Sequence, residues 1–245
     1  MRDLNNYYNE YCNLPFEKIQ IYFRRKKVLE CLEQHNHAKL CEIGCGLDPL
    51  FNHLKIFDRM HVVEPILGFY ENACAEAKGK GNITVHLGRL EDNVSTLSHE
   101  EFDFIVISSL LHEVNNPEEL LRCIHHISLE HTVIHINVPN ARSFHRILAY
   151  EMGLIDNIFE KSATQKKMQQ YTTFSLDTLE QFVIKNGFQV LELGSYFLKP
   201  FTHEQMQAMY NHKIINIDIL NGLDLMVKHM PEFGSEIFVN IKANK

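Results

Sequence analysis

The stretch Lys39-Leu40-Cys41-Glu42-Ile43-Gly44-Cys45-Gly46-Leu47-Asp48-Pro49-Leu50 decides how the rest of the chain is read. It starts as a short apolar run, breaks at Gly44 and Gly46, and resumes over 49–55 with Leu50, Phe51 and Leu54 on one helical face. Strand, glycine turn and helix start, in that order, are the layout of a nucleotide-binding first crossover. Glycines there let the backbone approach a ligand where a Cβ would collide. A dinucleotide fingerprint would put a third glycine at 49, which is Pro49, and a pyrophosphate would disfavour the nearby carboxylate of Glu42. An acid two positions before Gly-x-Gly fits a ligand with a positive group and no phosphate.

The pattern Glu42-x-Gly44-x-Gly46 resembles the first motif of the class I S-adenosylmethionine-dependent methyltransferases, whose ligand carries a sulfonium, an ammonium and no phosphate. The resemblance implies that Glu42, Gly44 and Gly46 hold the cofactor. A second strand over 59–64 ends in Glu64, 20 residues beyond Gly44. An acid at that carboxyl end can accept both ribose hydroxyls in a bidentate contact. A third strand over 83–87 leads to Leu90 and Glu91, to which the resemblance assigns the adenine; Arg89 stands where an aspartate is often found. A helix over 15–34 precedes the first strand, with Phe16, Ile19, Tyr22, Phe23, Val28, Leu29 and Leu32 as its apolar stripe. In the family such a helix caps the cofactor site, so Arg24 and Arg25 can reach the cofactor carboxylate; a solvated basic face, Arg24 to Lys27, is the plainer alternative.

The fourth strand, over 102–109, is a near-continuous apolar run, as burial on both faces requires. The segment after it, Ser108-Ser109-Leu110-Leu111-His112-Glu113-Val114, resembles that of small-molecule methyltransferases and not the Asn-Pro-Pro-Tyr type of enzymes that methylate nucleic-acid amino groups. Ser108 is thereby assigned to the cofactor and His112 to the edge near the reacting methyl. A fifth strand over 132–138 runs into Pro139-Asn140-Ala141-Arg142-Ser143-Phe144-His145-Arg146. Strand ends carry ligands in this architecture, so Asn137, Asn140 and Arg142, with Tyr196 beyond the sixth strand, are substrate-side candidates, and His145 is a second candidate base. The stretch from Asn137 to Arg146, with Tyr150 to Leu154, resembles a subgroup of bacterial methyltransferases, many associated with surface-polysaccharide and other small-molecule pathways.

Composition narrows the function classes. The 245 residues are 45% hydrophobic, enough for one large core, and the net charge of −7 comes without long runs of one sign. That field does not favour nucleic acid. No apolar segment approaches the roughly 20 residues that span a bilayer, and the first residues lack a signal-peptide core. Six cysteines form no Cys-x-x-Cys, and the 15 histidines form no His-Glu-x-x-His. Reduced cysteines, a cytoplasmic location, no metal and no membrane partner are expected; a homodimer is compatible with all of this.

The expected architecture is an α/β, Rossmann-like, seven-stranded and mostly parallel sheet with helices on both faces. It carries an N-terminal helical cap (1–36), a cofactor-binding core (37–140), substrate-side helices and a lid around the sixth strand (141–234), and a last strand (235–245), antiparallel by resemblance. The expected reaction is metal-independent O-methylation of a small polar metabolite, a sugar or its activated form, from S-adenosylmethionine, with a histidine base. A protein or RNA methyltransferase would share the cofactor half. A nicotinamide oxidoreductase would need a phosphate-compatible turn, and a silent cofactor-binding protein would lack a base.

Overall fold

The structure is a computed structural model describing residues 4–245. Two helices, α1 (Leu4–Cys12) and α2 (Glu17–Glu33), precede the first strand. The chain then alternates through β1 (Lys39–Ile43), β2 (Arg59–Glu64), α3 (Leu67–Ala77), β3 (Ile83–Leu87), α4 (Leu90–Leu97), β4 (Phe104–Ser108), α5 (Pro117–Ile127) and β5 (Val133–Pro139). It continues through α6 (Phe144–Glu151), α7 (Ala163–Lys167), α8 (Leu176–Lys185), β6 (Phe188–Tyr196), α9 (His203–Asn211), α10 (Ile217–Leu225) and β7 (Glu236–Ala243). The strand order is β3-β2-β1-β4-β5-β7-β6. β1 to β5 pair in parallel, and β7 is antiparallel to both its neighbours.

Successive strand residues point to opposite faces, and each face has its own core. Cys41, Ile43, Ile105, Ile107, Ile134 and Ile136 pack with α4, α5 and α8. Leu40, Met60, Val62, Phe104 and Val106 pack with α2, α3, α9 and α10. Glu42 shares the parity of Leu40, so it points toward α2. His135 and Asn137 alternate with Ile134 and Ile136, so the α2 face also holds a buried polar row.

Local chemistry sets several boundaries. Asn116 accepts from Glu119 N, and Pro117 occupies the first turn of α5. Ser175 with Thr178 and Thr202 with Gln205 close reciprocal caps on α8 and α9. The helix expected over 49–55 is a single 3-10 turn, Leu50–Asn52, because the chain must reverse into β2 within a few residues. After Gly88, where the sequence reading names no helix, Asp92 caps Arg89 N and Leu90, Val94 and Leu97 turn inward, making α4. α1 and α7 are further helices that the sequence reading does not name.

Phe23 stacks on Phe197 at 4.1 Å and 8°, joining α2 to the chain leaving β6. Both rings are buried, whereas neighbouring Tyr22 is half exposed. Phe23→Ala should therefore cost about 3–5 kcal/mol, and Tyr22→Ala under about 1 kcal/mol. Urea denaturation of both variants checks this; equal losses would contradict the packing described.

Candidate functional site

The crevice lies where the strand order reverses, between the carboxyl ends of β1 and β4. After β1 the chain passes Gly44 (φ 78°) and Gly46 (φ 57°), left-handed conformations that favour glycine. Glu64, at the end of β2, fixes this turn. One of its oxygens accepts from Cys45 N at 3.0 Å and Gly46 N at 3.3 Å, and the other from Ile66 N at 2.9 Å. Burial raises the Glu64 carboxyl above its ordinary value, against the opposing pull of these bonds. Glu42 accepts from Leu50 N at 2.9 Å and faces Arg25 Nη1 at 3.5 Å. Burial outweighs that partner and pushes Glu42 up to about 7. Together with Tyr7, Phe69 and Ser108 these groups line a cavity of about 110 Å³.

A second cavity, of about 290 Å³, adjoins the first. Tyr11, Arg24, Ser109 and Glu113 line both and form the junction. Ser109 is left-handed (φ 55°), a strained state for a non-glycine residue. Its N–H donates to Asn137 Oδ1 at 2.9 Å and to Asn137 O at 3.0 Å, which holds the strain in place. Asn137 is anchored in turn by Ser108 and by His135 Nε2 at 3.1 Å. Burial pushes His135 down to about 4, and its Nδ1 lies 2.7 Å from Asn240 Oδ1.

The floor of the second cavity is a desolvated charge network. Arg24 Nε donates to both oxygens of Glu236, at 3.1 and 3.0 Å, and Nη1 donates to Glu17 at 3.1 Å. Burial alone would raise Glu236, but Arg24, the Tyr196 hydroxyl and the Gln20 amide hold it below its ordinary value. Glu17 lacks that many partners, and burial leaves it raised. Lys199 lies in the same wall, and burial pushes it down to about 7.

The residues singled out from sequence fall into three groups. Glu42, Gly44, Gly46, Glu64, Ser108 and Arg25 line the first cavity, and His112, Asn140 and His145 line the second. The other five are not lining residues. Leu90 is packed in the core, and Glu91 follows it in the first turn of α4. Asn137 sits behind Ser109; Tyr196 is buried with its hydroxyl on Glu236; Arg142 points outward, 3.7 Å from Glu232. Asn140 also has its amide in use, donating to Glu232 O and Gly234 O. Tyr11, Gln20, Glu17, Glu113, Lys199, His203 and Glu236 escape the sequence reading. Only Glu113, adjacent to His112, had a local signal.

The methyltransferase domain family model matches residues 16–193, from α2 into β6. The chain belongs to the methyltransferase domain family. It is an S-adenosylmethionine-dependent methyltransferase. Among solved structures it is similar to an S-adenosylmethionine-dependent methyltransferase of Mesorhizobium loti (TM-score 0.60, 14% identity, 89% of this chain and 96% of that one). It is also similar to the N-methyltransferase NodS of Bradyrhizobium japonicum, solved with S-adenosylhomocysteine (TM-score 0.56, 11% identity, 95% and 90% covered). A methyltransferase of Thermotoga maritima, described as a possible histamine N-methyltransferase, is 19% identical at TM-score 0.56 (89% and 87% covered). These likenesses are of fold. A search of curated proteins gave no sequence match.

The chemistry of the first cavity fits S-adenosylmethionine. A Cβ at Gly44 would meet Leu110 and one at Gly46 would meet Tyr11, so glycine keeps the turn open. Arg25, whose Nη1 and Nε stand 3.5 Å from Glu42 and 3.8 Å from Asp48 without a close hydrogen bond, is a cation that suits a carboxylate. Among the described residues no helix is long and apolar enough to cross a membrane, and no cluster of three or more His, Cys, Asp or Glu is arranged for a metal.

Glu42 makes stability depend on pH. Its folded value of about 7 exceeds the ordinary 4.5, so its contribution is full below the ordinary value and is lost as pH rises through about 7. In cofactor-free protein, Glu42→Gln should therefore gain on the wild type between pH 5 and 8 by up to about 3 kcal/mol. Urea midpoints at the two pH values measure this; parallel profiles would rule out the raised carboxyl.

Proposed function

We propose that this methyltransferase methylates a hydroxyl of a small polar metabolite, a sugar or its activated form, without a metal and with His112 as the base. The observation that supports this most is the junction: the glycine-turn cavity opens into a larger cavity, and His112 lines the latter beside junction residue Glu113. The resemblance of 137–154 to methyltransferases associated with polysaccharide pathways favours a sugar over other polar acceptors.

When bound, S-adenosylmethionine supplies a methyl carbon already activated by its sulfonium. The chain's own task is to align the acceptor, exclude water and take a proton. In this reading Glu64 receives the ribose hydroxyls while it holds the turn, Glu42 faces the ammonium, and Arg25 faces the carboxylate. His112 accepts the proton of the attacking hydroxyl, and Glu113, whose Oε1 lies 3.6 Å from His112 Nε2, stabilises the resulting imidazolium. His145 is the weaker candidate, because burial holds it well below its ordinary value. Asn137 and Tyr196 act as supports of the wall. Incubation with methyl-labelled cofactor and a panel of sugars and activated sugars tests the reaction; label transferred only to protein, RNA or amines would replace it.

Glu64→Ala should weaken cofactor affinity by roughly 10- to 150-fold, the equivalent of a charged contact of about 1.5–3 kcal/mol. Calorimetry with S-adenosylhomocysteine reads this, and unchanged affinity would remove Glu64 from the ribose.

His112→Ala should leave cofactor affinity nearly intact while turnover falls by roughly 10²–10⁴. His112→Asn keeps polarity without basicity and should be nearly as slow. Substantial activity in both variants would make His112 structural.

A further inference from the structure

Four residues of the second cavity present lone pairs to it, because they direct their donors into the protein. Gln20 Nε2 donates to Glu236 Oε1 at 3.0 Å and to Ser235 Oγ at 3.0 Å. A carboxylate only accepts, so the amide orientation is fixed and Gln20 Oε1 is left buried without a partner. Gln170 repeats the arrangement: its Nε2 donates to Glu113 Oε1 at 3.4 Å, and its Oε1 has no partner. Two imidazoles do the same. The backbone carbonyl of Lys199 accepts from His145 and that of Pro15 from His203, while the Nδ1 of each ring is buried and unpartnered. The donating nitrogen is therefore Nε2, and burial keeps both rings neutral, with His203 down at about 3. A neutral ring that donates through Nε2 offers a lone pair at Nδ1.

The cations of the wall do not reverse this polarity. Arg24 is committed to Glu236 and Glu17, and Arg146 donates to Ile158 O, Glu160 O and Gln165 Oε1. Lys199 makes no ion pair among the described residues, and Glu17 and Glu236 are the carboxylates nearest it in effect. Arg24, Arg146 and Lys199 thus balance Glu17, Glu113 and Glu236, which leaves no net charge for a ligand to neutralise. A phosphate or carboxylate would meet four lone pairs and, as the one cation that the described residues leave uncommitted, Lys199, which burial pushes down to about 7 and leaves only partly charged at neutral pH. A fixed ammonium would meet Lys199.

We infer that this cavity recognises the acceptor by its uncharged hydroxyl donors, as on a bare polyol or sugar ring, and discriminates against an acceptor that presents a phosphate, a carboxylate or an ammonium there. The inference rests on the proposed hydroxyl methylation and narrows it: an activated sugar keeps its phosphates outside this cavity. Four acceptors spaced around one cavity suit a ring bearing several hydroxyls, each donating outward.

The test uses the full chain saturated with S-adenosylhomocysteine and matched probes: methyl glucoside, glucose 6-phosphate, glucuronate and glucosamine, followed by ligand-observed saturation-transfer NMR and titration. The neutral glucoside should bind at least 10-fold more tightly than each charged analogue. His203→Phe and His145→Phe should each weaken glucoside binding by about 3- to 10-fold, the size of a net hydrogen bond, with S-adenosylhomocysteine affinity unchanged. Gln170→Leu, outside the core, should act likewise and serves if a histidine variant fails to fold. A charged probe that binds as tightly as the glucoside overturns the inference. So does a glucoside that does not bind, or whose binding ignores all three variants. Glucoside binding with no methyl transfer in the labelled-cofactor assay would remove the proposed reaction and leave the cavity assignment standing. Tight binding and methylation of glucose 6-phosphate would do the reverse.

Discussion

One carboxylate organises the crevice. Glu64 ends β2 and receives the N–H groups of Cys45, Gly46 and Ile66. Three backbone donors converging on one buried charge define a turn far more rigidly than glycine-rich sequence alone would, since glycine carries the largest conformational freedom to be lost. The parallel register that sets Ile43 beside Val63 brings Glu64 to the turn. Sheet pairing, turn geometry and the first cavity are therefore one construction. Strain at Ser109 follows the same logic on the neighbouring strand, where Asn137 supplies the restraint from β5.

The larger cavity depends on a second desolvated group. Burying Arg24, Glu17 and Glu236 together is costly unless every ion is paired and hydrogen-bonded. Here one guanidinium serves two carboxylates, and the second is further held by Tyr196 and Gln20. The geometry gives little margin: removing one partner would strand a charge away from water. It also ties α2 to the first residue of β7, so the N-terminal cap and the last strand share the wall of one cavity. That arrangement links the position of the cap to the shape of the second cavity.

The order of elements and their periodicity were legible in the chain. The apolar run of β4, the turn at Gly44 and Gly46, and the alternation in β5 each reflect a local rule that needs no partner. The lining of the first cavity was legible for the same reason: Glu42, Gly44, Gly46 and Glu64 lie at the ends of adjacent strands, where spacing in sequence maps directly onto spacing in space. α4 was missed because the polar residues after Gly88 hide an inward spacing of Leu90, Val94 and Leu97. Leu90 and Glu91 follow the third strand as expected, yet neither lines the first cavity, because α4 begins at Leu90 and carries that side chain into the core.

The sequence by itself determined the layered sheet, the glycine turn and the acids that flank it. Each is specified by residues close together in the chain or by a strand period of two. Only the tertiary structure decided the second cavity. Its wall joins Gln20 from α2, His145 from α6, Gln170 from the segment after α7, Lys199 and His203 around the start of α9, and Glu236 from β7. No local pattern announces such a set, because these residues share a surface only after the sheet has brought distant segments together. Which polar atoms face the ligand is fixed by which partners the rest have already taken.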